Sequence, residues 1–243
     1  MNYLYMLAAG QSFYRVYNSL EAMTWQPNSS LKTAPRLSEE SHVMAKQNGL
    51  RDDIQIVWTN LYGEPAMAMG NNSYRYSAAF ILVDRDYVVS ENNPGMNDAM
   101  NVIMRHEYSH LRHDDFSKSK LLPALVSLIS TVGGFVFLSP LATFTLTTFA
   151  GLATQALYSR YTEERADDEA FQQSSENELK CFQQLLELNK SNNIQLHKKS
   201  VIGQLCFSSE GNDRRQFFTH PSLNDRIRLV SKAMDAKATI KFL

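Results

Sequence analysis

The order of apolar and polar positions divides the chain into a helical start, a short strand-rich stretch and a long helical remainder. Residues 1–50 follow a helical pattern, which a stretch rich in Pro, Ser and Asn interrupts at 26–35. Two β-branched and aromatic runs follow at 54–59 and 78–83, and turn residues bound both of them. Such runs are typical of strands, so they predict a small antiparallel sheet.

Beyond the sheet the pattern becomes helical. Ala99, Ile103, His106 and His110 recur at helical spacing within 98–112, and Asn97 is the predicted N-cap. Further helices are expected at about 159–189 and 222–236. Residues 121–158, by contrast, contain no Asp, Glu, Lys, Arg or His. We therefore expect an α+β fold. Residues 1–50 are predicted to be a helical lead-in, and residues 51–243 a single domain that includes a hydrophobic helical hairpin at 121–158.

Composition and charge narrow the possible partners. The 243 residues include 24 Lys and Arg against 25 Asp and Glu, for a net charge of -1. Nucleic-acid-binding proteins need a basic face, so we expect no nucleic-acid partner. The two cysteines, Cys181 and Cys206, cannot form a disulfide framework and fit a reducing, cytoplasm-facing compartment. The first residues lack a basic start, so we predict neither a signal peptide nor an N-terminal membrane anchor.

A metal-binding motif lies at residues 106–110, which read His-Glu-Tyr-Ser-His. In this HExxH arrangement the two histidines share one helix face, so both imidazoles can converge on one ion. Glu107 lies beside that face and can reach a water on the metal. Zinc lowers the pKa of such a water to about 7, and the carboxylate takes its proton as hydroxide attacks a carbonyl. The motif predicts one Zn2+ per chain, held by His106 and His110.

A third ligand is needed, and two patterns compete for it. The metzincin pattern requires a His six residues after His110, where this chain has Phe116, so that pattern fails. His113 is interpreted as a surface residue together with its two acidic neighbours. The better candidate is Glu163 in the segment 159–167, although an acidic cluster of this kind also suits a solvated helical turn. The upstream HExxH motif favours the metal-binding interpretation.

Three blocks of sequence resemble the HtpX-like and CAAX prenyl endopeptidase family of membrane-associated zinc metallopeptidases. They are His-Glu-Tyr-Ser-His at 106–110, Ser-Arg-Tyr-Thr-Glu-Glu-Arg-Ala-Asp at 159–167, and Thr219-His220-Pro221 followed by Arg226-Ile227. The resemblance implies a zincin-type catalytic domain with Glu163 as the third ligand. It also implies that Asp167 holds a ligand histidine by a hydrogen bond, and that His220 helps to bind the oxyanion of the intermediate. Arg160 is expected to pair with Glu164 or Asp167, or to brace the metal site.

One position departs from that family. Pro65 stands where relatives often have a substrate-contacting Asn on the strand before the active-site helix. Without the Asn, one substrate or oxyanion contact is expected to be lost, and proline also removes a backbone donor, while zinc binding is retained. The strand at 80–83 is expected to offer an edge on which an extended substrate lies.

The uncharged interval has two interpretations. Segments 121–138 and 140–158 are each near the lower length limit for crossing a membrane, and Lys and Arg on both flanks would place both ends on the cytoplasmic side. The alternative is a buried hairpin of a soluble cytoplasmic protein. We favour membrane association through 121–158, with the catalytic site facing the cytoplasm.

The function predicted from these features is that of a zinc-dependent metalloendopeptidase acting on protein or peptide substrates. A zinc-binding protein-interaction module with weak or no catalysis is the alternative, and Pro65 is the feature that points to it. A zinc hydrolase that acts on a non-peptide bond is a third interpretation, which residues alone do not separate.

Overall fold

A computed structural model describes residues 3–24, 43–59, 61, 65–74, 77–84, 94–214 and 220–240 of the chain. It is mostly helical with one small sheet, which confirms the α+β, zincin-like fold. The elements are, in order, α1 (Tyr3–Met23), β1 (Gln55–Thr59), β2 (Ala66–Gly70), β3 (Ala79–Asp84), α2 (Pro94–Arg112), α3 (Asp115–Phe137), α4 (Pro140–Gln173), α5 (Glu176–Lys199), α6 (Val201–Cys206) and α7 (Leu223–Ile240).

The sheet is mixed rather than wholly antiparallel. Its order is β1-β3-β2. The Asp84 amide donates to the Pro65 carbonyl (3.0 Å) and the Asn71 amide to the Ala78 carbonyl (3.1 Å), so β2 and β3 are antiparallel. β1 therefore runs parallel to β3. The two predicted strand runs correspond to β1 and β3, and the additional strand β2 lies between them in the sequence. The chain therefore reverses direction twice, which leaves β1 and β3 parallel.

The central position of β3 corrects the expectation for the substrate. β3 is paired on both sides, so the 80–83 segment offers no free edge for an extended peptide. Among the described strands, the free edges belong to β1 and β2. Pro65 immediately precedes β2, where the missing amide of proline leaves the ladder intact.

The chain folds into two compact units, each built from several separate segments. The first unit comprises Met1–Val57, Ala68–Ile81 and His110–Ser159, and the second comprises Trp58–Met67, Leu82–Ser109 and Arg160–Leu243.

In the first unit, a tight turn fixes the junction between α2 and α3. Asp114 has a φ of 53°, in the left-handed region, and is 6% exposed. Its Oδ1 accepts hydrogen bonds from the amides of Asn72 (2.8 Å) and Ser73 (2.9 Å), just after β2. These bonds hold a conformation that non-glycine residues rarely adopt, and they set the position of Asp115 at the start of α3.

The hydrophobic interval forms two helices in the first unit. α3 and α4 are separated by Leu138 and Ser139. Gly134 packs so closely on Thr143 that a Cβ on the glycine would lie 2.5 Å from the threonine methyl group. Within the described part of the chain, α3 is the helix that is long and apolar enough to cross a membrane by length and composition.

In the second unit, two helix ends differ from the expected ones. α2 begins at Pro94, so Asn97 lies in its first turn and is not the N-cap. The helix expected at 159–189 is two helices, because Ser175 begins a new one. Its side chain accepts from the amide of Glu178, whose carboxylate accepts from the Ser175 amide, and this capping box starts α5.

Candidate metal centre

The histidines of the HExxH motif lie on the last turns of α2, which Arg105 anchors. Arg105 donates to Ser174 Oγ (2.9 Å) and forms an ion pair with Glu178 (2.9 Å). Burial would raise the pKa of Glu178, but hydrogen bonds from Arg105 and from the Ser175 amide, together with the Arg105 charge, lower it below its usual value. The carboxylate therefore stays ionised and ties α2 to the start of α5.

Three donors converge where the sequence predicts. One ligand atom from each of His106, His110 and Glu163 lies within 4.8 Å of the other two. The His106 Nε2 to Glu163 Oε2 distance is 3.3 Å. His106 and His110 both lie on the helix α2, which sets the spacing between them. Two imidazoles and one carboxylate are the donor set of many catalytic zinc sites, so these residues fit a zinc ion.

A buried carboxylate orients the first histidine. Asp167, 1% exposed, lies 2.9 Å from His106 Nδ1 and is held in turn by two Arg226 nitrogens at 2.6 and 2.8 Å. Burial would raise the pKa of Asp167, but the Arg226 charge and the hydrogen bond and charge of His106 outweigh it, so the pKa is lowered. An ionised Asp167 accepts a hydrogen bond from Nδ1–H, which makes Nε2, the nitrogen that faces Glu163, the atom that would bind a metal.

A second carboxylate does the same for the second histidine. Asp115 Oδ2 lies 2.9 Å from His110 Nδ1, and the Tyr158 hydroxyl donates to Asp115 Oδ1 at 3.0 Å. Asp115 is 6% exposed. Each histidine of the motif therefore has its Nδ1 engaged by a buried acid, so Nε2 is the ring nitrogen through which each would bind a metal.

Comparison with known proteins agrees with this geometry. The sequence model of the family described as peptidase family M48 matches residues 74–234, which is more than half of the chain. The chain belongs to peptidase family M48. No curated protein and no solved structure matches it significantly. M48 is a family of zinc metallopeptidases that includes HtpX and the CAAX prenyl endopeptidases, so the chain is a hydrolase of the metallopeptidase type.

Of the two predicted catalytic residues of this M48 chain, one is next to a donor in the sequence and the other lies near a donor in space. Glu107 follows His106 in α2 and is 7% exposed. His220 Nε2 lies 3.4 Å from Glu163 Oε1. Ser222, two residues on, accepts a hydrogen bond from the Asp225 amide (3.1 Å) and so caps α7, which fixes the segment that carries His220. Thr219, from the same sequence block, lies outside the described residues.

Arg160 lies away from the donor cluster. It pairs with Glu164 at 3.0 Å, and both side chains are about half exposed (49% and 51%). Arg226, instead of Arg160, forms the ion pair with Asp167. Of the options that the sequence leaves for Arg160, the structure therefore shows the surface pair.

Three residues of the centre are missing from the sequence prediction. Asp115 falls in a segment interpreted as a surface cluster with His113, yet Asp114 and Asp115 are both 6% exposed. Tyr158 is the last residue of the uncharged interval and belongs to none of the sequence motifs. Arg226 belongs to the third block of the family resemblance, which assigns it no role. The spacing of Asp115 five residues after His110 is a usable signal only once the α2–α3 turn is known.

Proposed function

We propose that this M48 protein is a zinc-dependent endopeptidase whose metal is held by His106, His110 and Glu163. The observation that supports it is the convergence of these donors, with each histidine held through Nδ1 by a buried acid. Three protein ligands leave a fourth position open, as catalytic zinc sites require. The proposed substrates are proteins or peptides.

The residues around the cluster supply the rest of the chemistry. Zinc, when bound, would polarise the scissile carbonyl and lower the pKa of the attacking water to about 7. Glu107 accepts the proton of that water and passes it to the leaving amine. His220 donates an N–H to the carbonyl oxygen as that oxygen gains negative charge. Asp167 and Asp115 keep the two imidazoles in the tautomer that binds metal.

We propose further that the α3–α4 hairpin lies in a membrane. Large apolar side chains on both helices are exposed, among them Ile129 (71%), Val136 (68%) and Phe149 (68%). Because His110 and Glu163 serve one metal, the chain between them crosses a bilayer twice or not at all. Lys118 and Lys120 on one flank and Arg160 and Arg165 on the other favour the cytoplasmic side for both ends.

Removal of metal is expected to abolish peptidase activity reversibly. The detergent-solubilised chain should cleave casein, lose that cleavage on dialysis against a zinc chelator, and regain it when one equivalent of zinc is restored. Dialysis against chelator saturated with zinc is the control. Cleavage that survives complete removal of zinc would contradict the proposal.

Asp115 and Tyr158 are expected to set zinc affinity through His110. Asp115→Asn should weaken zinc binding about 10–100-fold, because the hydrogen bond to Asp115 orients the imidazole of His110. Tyr158→Phe should weaken it by about the lower limit of that range, because Tyr158 acts on that imidazole through its hydrogen bond to Asp115. Competition with a zinc-binding dye measures the affinity, and the melting temperature of the metal-free protein checks the fold. Tyr161→Phe, which removes a hydroxyl from an exposed side chain of α4, is the matched control. Equal zinc affinity in Asp115→Asn and wild type would exclude this role.

A further inference from the structure

Helix α1 buries small side chains, two alanines and two serines, and directs its large apolar side chains outward. Ser12 and Ser19 are 1% exposed, whereas Tyr3 and Phe13 are 70% exposed. The exposed large side chains are Tyr3, Met6, Leu7, Phe13, Tyr14, Tyr17 and Leu20. A surface helix in water has the opposite arrangement, with its apolar stripe facing the core.

The inward face of α1 joins α3 and α4 through hydroxyl groups. Ser12 Oγ lies 2.7 Å from Thr131 Oγ1 of α3, which lies 3.1 Å from Thr147 Oγ1 of α4. Thr148 donates to the side chain of Gln11 at 3.0 Å. Hydrogen-bonded Ser and Thr between helices, with large apolar residues outside, are typical of helix packing in a bilayer.

Small residues allow the three helices to approach closely. A Cβ on Gly151 would lie 2.1 Å from an Arg15 nitrogen and 2.5 Å from Ser127 Oγ. Arg15 is the one charged residue between Tyr3 and Leu20, and it is partly buried against this glycine. A charged side chain inside a membrane protein faces the bundle interior in this way.

The outward surface of α1 continues on the other two helices. In α3 and α4 the exposed large apolar side chains recur at helical spacing: Leu122, Leu125, Ile129, Val132, Phe135, Val136, Phe137, Leu141, Leu146, Phe149, Leu152 and Leu157. No residue from 121 to 158 is charged. A second copy or a partner protein would cover one side of such a bundle, whereas lipid covers the outward stripe of every helix.

Contacts at both ends give the direction of α1. Near its start, Tyr5 donates to the Leu138 carbonyl (2.7 Å) and stacks on Phe135 at 4.6 Å, at the tip of the hairpin. Near its end, Asn71 Nδ2 donates to the Ala22 carbonyl (3.0 Å), and Asn71 Oδ1 accepts from the Ser117 amide (3.2 Å), at the base of α3. α1 therefore runs antiparallel to α3, from the hairpin tip to the α2–α3 turn.

We propose that α1 is a third membrane-embedded helix, packed on the hairpin, with its Tyr3 end on the side of the bilayer opposite the α2–α3 turn. α1 has 21 residues, about 32 Å at 1.5 Å per residue, which matches a hydrocarbon core of about 30 Å. The inference extends the proposed membrane hairpin to the start of the chain. It differs from the expectation that this end holds no membrane anchor, and it does not depend on the peptidase chemistry.

Single cysteines test the topology in sealed membrane vesicles. In a Cys181→Ser/Cys206→Ser background, one cysteine is introduced by Asn2→Cys, Ser139→Cys or Asp52→Cys. Asn2 precedes α1, Ser139 lies at the hairpin tip, and the exposed Asp52 lies next to Arg51, whose amide donates to Asn72 beside the α2–α3 turn. A membrane-impermeant maleimide is added to intact vesicles and to vesicles opened with detergent.

The proposal predicts that the cysteines at positions 2 and 139 react from the same side of the membrane and the one at position 52 from the other. If positions 2 and 52 are labelled from the same side of the membrane and position 139 from the opposite side, the hairpin alone is embedded and the inference on α1 is wrong. Labelling of vesicles in both orientations that leaves positions 2 and 139 unreacted until detergent is added would also overturn it. A chain recovered wholly in the aqueous fraction without detergent would overturn the hairpin proposal as well.

Discussion

Asp167→Asn is expected to weaken zinc binding about 10–100-fold and to destabilise the metal-free protein by about 3–5 kcal/mol. The zinc effect follows from the 2.9 Å bond to His106 Nδ1, which an amide cannot accept as strongly as a carboxylate does. The effect on stability follows from the loss of the charge partner of Arg226. Because the Arg226 side chain is 23% exposed, we expect the lower end of the range. Dye competition and thermal unfolding measure the two effects.

Two further variants separate orientation of the metal ligand from stability. Asp168→Asn changes the exposed neighbour and should leave both quantities near the wild-type values. In Asp167→Leu/Arg226→Leu both charges are replaced, so stability should recover in part while zinc affinity stays low. Full recovery of zinc affinity in the double variant would show that Asp167 acts through stability alone.

Glu107→Gln is expected to lower kcat for casein cleavage about 10²–10⁴-fold while zinc affinity and melting temperature stay near wild type. The amide retains the shape of the side chain but cannot accept the proton of the attacking water. Glu107 is not one of the three converging donors, so its replacement leaves the ligand set intact. Initial rates at saturating casein measure the effect. Glu164→Gln, in an exposed side chain paired with Arg160, is the control.

The same variant distinguishes the peptidase from the binding module. A zinc-dependent interaction module has no use for a base, so Glu107→Gln would leave its biological activity unchanged, whereas His110→Ala would abolish it. An endopeptidase loses activity in both variants. Equal cleavage rates for Glu107→Gln and wild type would rule out the proposed base.

The central residues of the site can be predicted because they are spaced so that they share one face of a helix. His106 and His110 must share a face of any helix that contains them, and an HExxH motif needs a third donor that Glu163 can supply. Asp167 is predictable for the same reason, since it lies one helical turn after Glu163. These predictions need only local periodicity, together with a resemblance that spans three separate blocks.

The supporting contacts depend on tertiary structure that the sequence does not encode locally. Asp115 reaches His110 only because Asp114 adopts a left-handed conformation that the amides of Asn72 and Ser73 stabilise. Arg226 meets Asp167 across 59 positions of the chain. No local pattern predicts either contact.

The sheet and the first helix differ from expectation for related reasons. Runs of β-branched and aromatic residues predict that strands are present but not the order in which they pair. The strand β2 lies between the two runs in the sequence and pairs with β3, so the sheet is mixed. In α1 the sequence shows a helical period but does not indicate which stripe faces inward. The hydroxyl contact from Ser12 to Thr131, which in turn contacts Thr147, identifies the buried face, and that face consists of alanine and serine.

The most direct test of the zinc peptidase assignment pairs zinc content with casein cleavage in the same preparations of wild type and Glu107→Gln. We predict one zinc ion per chain in both, with cleavage in wild type and a rate at least about 10²-fold lower in the variant. A wild-type chain that cleaves casein without bound zinc would contradict the assignment. Zinc in both with cleavage in neither would contradict the peptidase proposal and leave the metal site as part of a binding protein.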